Sequence, residues 1–122
     1  MQFDDFSIGV DCIEIDRFSS ENLSSKPFLG KIFTSKEIKY CLSKPFSSQH
    51  FAVRFAAKEA VKKCLKEKSI GLSLSSIEIV HAGQVPEVII HGSENFPDIK
   101  ISLSHSDNVA MAVAIAYKKE DR

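Results

Sequence analysis

Apolar residues recur along this chain in two periods, and each predicts a different kind of element. From Ser48 to Lys66, Val53, Ala56, Ala57, Ala60, Val61, Cys64 and Leu65 gather on one side at 3.6-residue spacing, which predicts a long helix with that side in the core. From Ile99 onward the period is two. Ile99, Ile101 and Leu103 alternate with polar residues, and Ser104 to Asn108 break the run. Alternation then resumes, with Val109, Met111, Val113, Ile115 and Tyr117 on one face and Ala110, Ala112, Ala114 and Ala116 on the other. A strand face made of alanine lets another layer approach closely. Residues 6–15 are β-branched and apolar, broken by Gly9 and Asp11, and predict a strand running into a turn or short helix with Asp11 at or near its end. Ser76 to His81 and Val85 to Ile90 flank Ala82-Gly83-Gln84 as a hairpin, and Pro86 favours an edge position. Thr34 and Glu37 have capping-box spacing and open a helix reaching about Leu42, ended by the approach to Pro45. Ser19 to Lys31 shows no clear period and predicts loop or short helix. The fold class expected is α+β, an antiparallel sheet with helices packed on one side.

Composition narrows the picture. At 122 residues, 43% apolar and 26% charged, the chain is expected to form a single domain over 1–122. Sixteen basic and sixteen acidic residues argue against a surface built to grip nucleic acid or anionic lipid. The longest apolar run, Val109 to Tyr117, is nine residues, about half of the ~20 a membrane-spanning helix needs. Asp4 and Asp5 stand where a targeting segment would carry bases, so a cytoplasmic protein is expected, with a charged tail from Lys118 to Arg122 that is frayed. Cys12, Cys41 and Cys64 lack any C-x-x-C spacing, which fits neither a disulfide framework nor a zinc site; Cys12 and Cys41 are expected to be buried, inert thiols.

Three segments join an apolar element to reactive side chains: Gly9 to Ile15, Arg54 to Ala60, and Ser102 to Ser106. Asp11 and Glu59 are hard oxygen ligands, suited to Mg²⁺ if strand and helix bring them together. Taken singly, Asp11 reads as a turn or cap residue and Glu59 as the i, i+4 partner of Lys63. Arg54, Lys58 and Lys62 form a row at i, i+4, i+8 that reads as solvated surface before it reads as a phosphate site. His105 closes a strand, where it meets an anion, accepts a proton or simply holds a turn. Ser104-His105-Ser106-Asp107 is not a hydrolase triad, because adjacent strand residues face opposite ways.

These segments, in this order, resemble the holo-acyl-carrier-protein synthase family of 4′-phosphopantetheinyl transferases. The resemblance spans Ile8 to Phe18, Phe33 to Glu37, Arg54 to Ala60 with Ile70-Gly71, and Ile101 to Ser106. It implies the 4′-phosphopantetheinyl transferase fold and a Mg²⁺-dependent transfer of the 4′-phosphopantetheine arm of coenzyme A to a serine of apo-acyl carrier protein. It implies Asp11 and Glu59 as metal ligands and Lys63 beside the diphosphate, all three counted as catalytic. Arg54 and His105 would touch coenzyme A phosphates, and Lys58 has a family match without a clear role. It further implies a homotrimer in which a neighbouring copy supplies the histidine, and an acidic carrier facing Arg17. The turn His81 to Pro86 departs from the pattern of many relatives, which leaves its coenzyme A contacts unassigned. A degenerate module that only binds, and another metal-assisted phosphate enzyme, are the rival classes; the intact Asp11, Glu59 and Lys63 speak against the first.

Overall fold

A computed structural model describes residues 5–23, 26–92 and 95–118. Met1 to Asp4 and the tail from Lys119 lie outside the described residues, and with them the fraying expected there. Five strands and four α-helices are present among the described residues: β1 (Phe6–Glu14), α1 (Ser20–Leu23), α2 (Lys26–Ile32), α3 (Ser35–Leu42), α4 (Ser47–Leu65), β2 (Ile77–Ala82), β3 (Val85–Ile90), β4 (Asp98–His105) and β5 (Val109–Tyr117). Short 3-10 turns follow β1 and α4 and precede β2.

The strands divide into two antiparallel sheets, a three-stranded one in the order β1-β5-β4 and the separate hairpin β2-β3. The alanine face of β5 works as its small side chains require. Ala110, Ala112, Ala114 and Ala116 are buried, and α4 lies against them and against β1. The opposite face carries Ile8, Val10, Val109, Met111 and Ile115, all exposed. The turn of β2-β3 is two residues, with Ala82 paired to Val85 and Gly83 at φ +69°, a conformation glycine adopts at no steric cost.

α4 is central rather than peripheral. One side meets β1 and β5, another meets α3 and β2. Phe18, Phe33 and Phe51 form an aromatic centre with ring centroids 5.0 to 6.3 Å apart. Thr34 caps α3 as its spacing predicts: its hydroxyl accepts from the Glu37 amide, and Glu37 accepts from the Thr34 amide. No helix among the described residues is long and apolar enough to cross a membrane.

Three expectations change. Asp11 is inside β1, paired with Ala112, not at the strand's end, because the ladder with β5 continues to Glu14. Cys12 is exposed on the outward sheet face, since β1 alternation sends it opposite Asp11; Cys41 and Cys64 are buried. Burial pushes the Cys41 thiol up to about 12 and the Cys64 thiol to about 11, so both stay protonated. Finally, Arg54 and Lys58 are buried instead of solvated, because α3 and β2 cover the side of α4 that carries them.

Candidate functional site

The chemistry-bearing residues gather at two places along α4. At its C-terminal half, β1 crosses at very close range. A Cβ placed on Gly9 would lie 2.0 Å from the Ala60 carbonyl oxygen and 2.7 Å from the Cys64 nitrogen, so the backbone approach itself requires glycine. The Ser7 hydroxyl, one residue earlier, donates to the Cys64 carbonyl. Strand alternation then turns Asp11 toward the same side as Gly9. There the Lys63 ammonium donates to Asp11 Oδ1 at 3.1 Å and to the Val10 carbonyl at 2.9 Å. The Asp11 side chain is 17% exposed and that of Lys63 55%, so the pair stands at the mouth of the crossing, open to a ligand.

Glu59 lies one helical turn before Lys63 and is partly buried. Its side chain makes no hydrogen bond or ion pair among the described residues. The Glu59–Lys63 pairing open to a plain helix surface is therefore not formed: Lys63 reaches across to β1 instead. Among the described residues no group of three or more His, Cys, Asp or Glu side chains is placed to hold a metal ion. What the chain offers is two carboxylates. That donor set fits Mg²⁺, which usually takes one or two protein carboxylates and completes its shell with phosphate and water.

The second place is the N-terminal half of α4. Arg54 is buried, yet its guanidinium finds partners: it lies 4.4 Å from the Tyr40 ring centroid and donates to the His50 carbonyl at 3.3 Å and to His81 Nδ1 at 3.1 Å. Among the described residues its Nε is buried without a partner. The Tyr40 ring also stacks on His81, at 5.9 Å and 20°, and carries the Lys44 ammonium at 4.9 Å. A cavity of about 210 Å³ opens here between Lys36, Tyr40, Arg54, Glu78 and His81. Burial, then Arg54 and Lys44, push the His81 imidazole below its usual range; burial and the same cations do so for His50. His105, exposed at the end of β4, accepts from the Gln49 amide at 3.0 Å at the start of α4.

Arg54 and His105 thus belong to one end of α4, Asp11, Glu59 and Lys63 to the other. Nine residues separate Arg54 from Lys63, roughly 13 Å along the axis at 1.5 Å per residue. Sequence reasoning missed Tyr40, His50 and Gln49, whose isolated positions carry no pattern, and left His81 without a role. It also missed the partnership of Lys58, whose ammonium lies 2.7 Å from Glu37 Oε1 in the interior. The capping-box glutamate and a lysine hemmed by Ala56, Ala57 and Ala60 were the available signals.

The model of the 4′-phosphopantetheinyl transferase superfamily matches residues 7–114. The chain belongs to that superfamily. It is 40% identical over 126 residues to a holo-[acyl-carrier-protein] synthase of Geotalea daltonii, covering 93% of this chain and 98% of that one. It is 38% identical over 129 residues to the fatty acid synthase alpha subunit pkiB of Emericella nidulans, covering 94% of this chain; it spans only 7% of that subunit's length. Among solved structures, a Bacillus anthracis holo-(acyl-carrier-protein) synthase in complex with CoA (3′,5′-ADP) superposes with a TM-score of 0.75, at 27% identity, covering 93% of this chain and 96% of that one. The mixed fold, with α4 laid on an antiparallel sheet, is the transferase fold of these relatives. Gly9, Asp11, Arg54, Glu59, Lys63 and His105 all fall within the segment the superfamily model covers.

Proposed function

We propose that this chain is a holo-acyl-carrier-protein synthase: one transferase domain, acting in the cytoplasm, that moves the 4′-phosphopantetheine arm of coenzyme A to a serine of apo-acyl carrier protein. The serine oxygen displaces adenosine 3′,5′-bisphosphate at the β-phosphorus, so the P–O bond to the α-phosphate breaks as the new one forms. The observation that carries this reading is the Lys63–Asp11 contact at the strand–helix crossing, with the unspent Glu59 one helical turn before Lys63.

Asp11 and Glu59 would hold Mg²⁺, and the chemistry a bound ion supplies there is countercharge to the diphosphate. The chain's own residues do the rest. Asp11 orients the Lys63 ammonium, whose donors are aimed where charge gathers on the departing phosphate. Arg54 and His105 take phosphates of coenzyme A at the other end of α4, and the orphaned Arg54 Nε supports an anion beside it. Catalysis of this kind is positioning and charge stabilisation, with no covalent enzyme intermediate.

A homotrimer fits the outward face of the β1-β5-β4 sheet. Ile8 is 56% exposed, Val10 52% and Met111 43%, a patch that a neighbouring copy would cover. Such a neighbour would also bring its His105 end toward the Asp11–Lys63 end of the first chain. The acidic carrier would dock at Arg17, which is exposed beside a cavity of about 190 Å³ lined by Ile13, Phe18, Phe28, Ile32 and Phe55. Incubation with coenzyme A, Mg²⁺ and an apo carrier tests the reading: the carrier should gain the mass of one phosphopantetheine arm, and no gain with any apo carrier refutes it.

A further inference from the structure

The β2-β3 hairpin joins the molecule without a β-ladder. Among the described residues its strands pair only with each other. A cleft of about 680 Å³, lined by Val88 and Ile90 on one side and Ile99 and Ile101 on the other, runs between β3 and β4. A two-stranded hairpin is marginal by itself in water, so its position depends on what fastens it. Burial of Ile77 and Ile79 supplies adhesion, and four polar contacts from α4, α3 and the Thr34 cap of α3 supply direction. The Ile77 carbonyl accepts from Lys58 Nζ, and the Ile79 amide donates to Glu37 Oε2 at 2.9 Å. Glu78 Oε2 accepts from the Thr34 hydroxyl at 2.7 Å, and His81 Nδ1 accepts from Arg54 Nη2 at 3.1 Å.

We propose that Lys58 and Glu37 are positioning residues for coenzyme A: their buried ion pair clamps the β2-β3 hairpin to α4 and thereby sets the pocket formed by Arg54, Tyr40 and His81. The proposal rests on the transferase reading, in which that pocket takes a coenzyme A phosphate. Lys58 cannot touch a ligand, its side chain being 0% exposed, and Glu37, though it borders the cavity, is only 1% exposed and spends its carboxylate inward. Lys58 has no bond to spare. Lys58 gives its three protons to Glu37 Oε1, to the Leu74 carbonyl at 3.0 Å and to the Ile77 carbonyl, the full complement of an ammonium. Glu37 accepts from Lys58, from the Thr34 amide at 2.9 Å and from the Ile79 amide.

Two ions in the interior are a poor way to obtain adhesion alone, because desolvation opposes their attraction; what their directed bonds do is select one placement of three elements. Lys58 follows Arg54 by one turn of a rigid helix, so the lysine that holds Ile77 and the arginine that holds His81 are fixed relative to each other. A hairpin released from Lys58 carries His81 away from Arg54 and opens the pocket. The Asp11–Lys63 crossing faces β1, on a different side of α4, and keeps its geometry. The clamp therefore governs coenzyme A binding more than the rate of the chemical step.

The test uses the double variant Glu37→Gln with Lys58→Met, which keeps side-chain volume and leaves no unpaired buried charge. Leu65→Ala, a core truncation at the far end of α4, is the stability control. In the double variant KM for coenzyme A should rise about 10-fold or more, with kcat changing less, as expected for a supporting residue. Hydrogen exchange at β2 and β3 amides should accelerate relative to β5. Leu65→Ala should keep the wild-type KM. An unchanged KM in the double variant, or an equal rise in Leu65→Ala, overturns the assignment. Wild-type chain that transfers no arm refutes the transferase reading instead, and the exchange measurement still decides the clamp: unchanged hairpin protection overturns it.

Discussion

Lys63 shows how one side chain's partner decides its use. On a bare helix it would pair with Glu59; here it crosses to Asp11 and the Val10 carbonyl, which leaves Glu59 unspent. Replacing Lys63 by Ala should lower arm transfer about 100-fold, the usual cost of one aimed donor, while the Mg²⁺ requirement moves less. Asp11→Ala and Glu59→Ala should each remove most turnover with unchanged far-UV circular dichroism; wild-type rates at saturating Mg²⁺ would contradict the metal assignment. The imidazoles give a pH prediction. His50 and His81 have pKa values lowered by burial and by Arg54 and Lys44, so below about pH 6.5 the unfolded chain takes up protons that the native chain refuses. Their contribution is present above that pH and is lost as pH falls through the range beneath it. Thermal unfolding followed from pH 7.5 to 5.5 should show a falling Tm, with a shallower slope in His50→Gln combined with His81→Asn.

At the scale of elements, what matters is which face of α4 meets which neighbour. Gly9 is the closest approach, and Gly9→Ala would drive a methyl into the Ala60 carbonyl and the Cys64 nitrogen, both backbone atoms unable to step aside. Overpacking of this kind costs about 1–3 kcal/mol or more. Chemical denaturation should show at least that loss, together with reduced transfer, since Asp11 shifts with the strand. On the other flank, Glu37→Leu alone strands the Lys58 ammonium in the interior and should cost about 3–5 kcal/mol, the range for removing one partner of a buried pair. α3 is then loosened twice, because Glu37 also completes its capping box.

For the molecule as a whole, the distribution of apolar surface bears on the proposed assembly. β5 puts alanines inward and valine, methionine and isoleucine outward, so the smoother face packs on α4 and the bulkier one is left exposed, where the proposed neighbour would sit. Met111→Glu should place a charge in that neighbour's contact. Sedimentation velocity should then report a smaller species than the wild type, and arm transfer should fall although every site residue of the chain is intact. A trimeric, active Met111→Glu would remove this face from the assembly.

Periodicity alone determined α4, the capping box, the Gly83 turn and the two-faced β5, because each depends on spacing between residues a few positions apart. Asp11, Arg54, Glu59, Lys63 and His105, the residues proposed for the site, stood out too, as reactive side chains attached to apolar elements. What surrounds α4 was decided only by the tertiary structure. A row of Arg54, Lys58 and Lys62 looks like a wet helix face until α3 and β2 are laid over it, and burial is a property of the neighbours rather than of the row. The same holds for Lys58 and Glu37, whose 21-residue separation carries no local signal, and for Lys63, whose partner is 52 residues away. Short-range geometry is written in the order of side chains; the pairing of charges across the core follows from which surfaces the folded chain brings into contact.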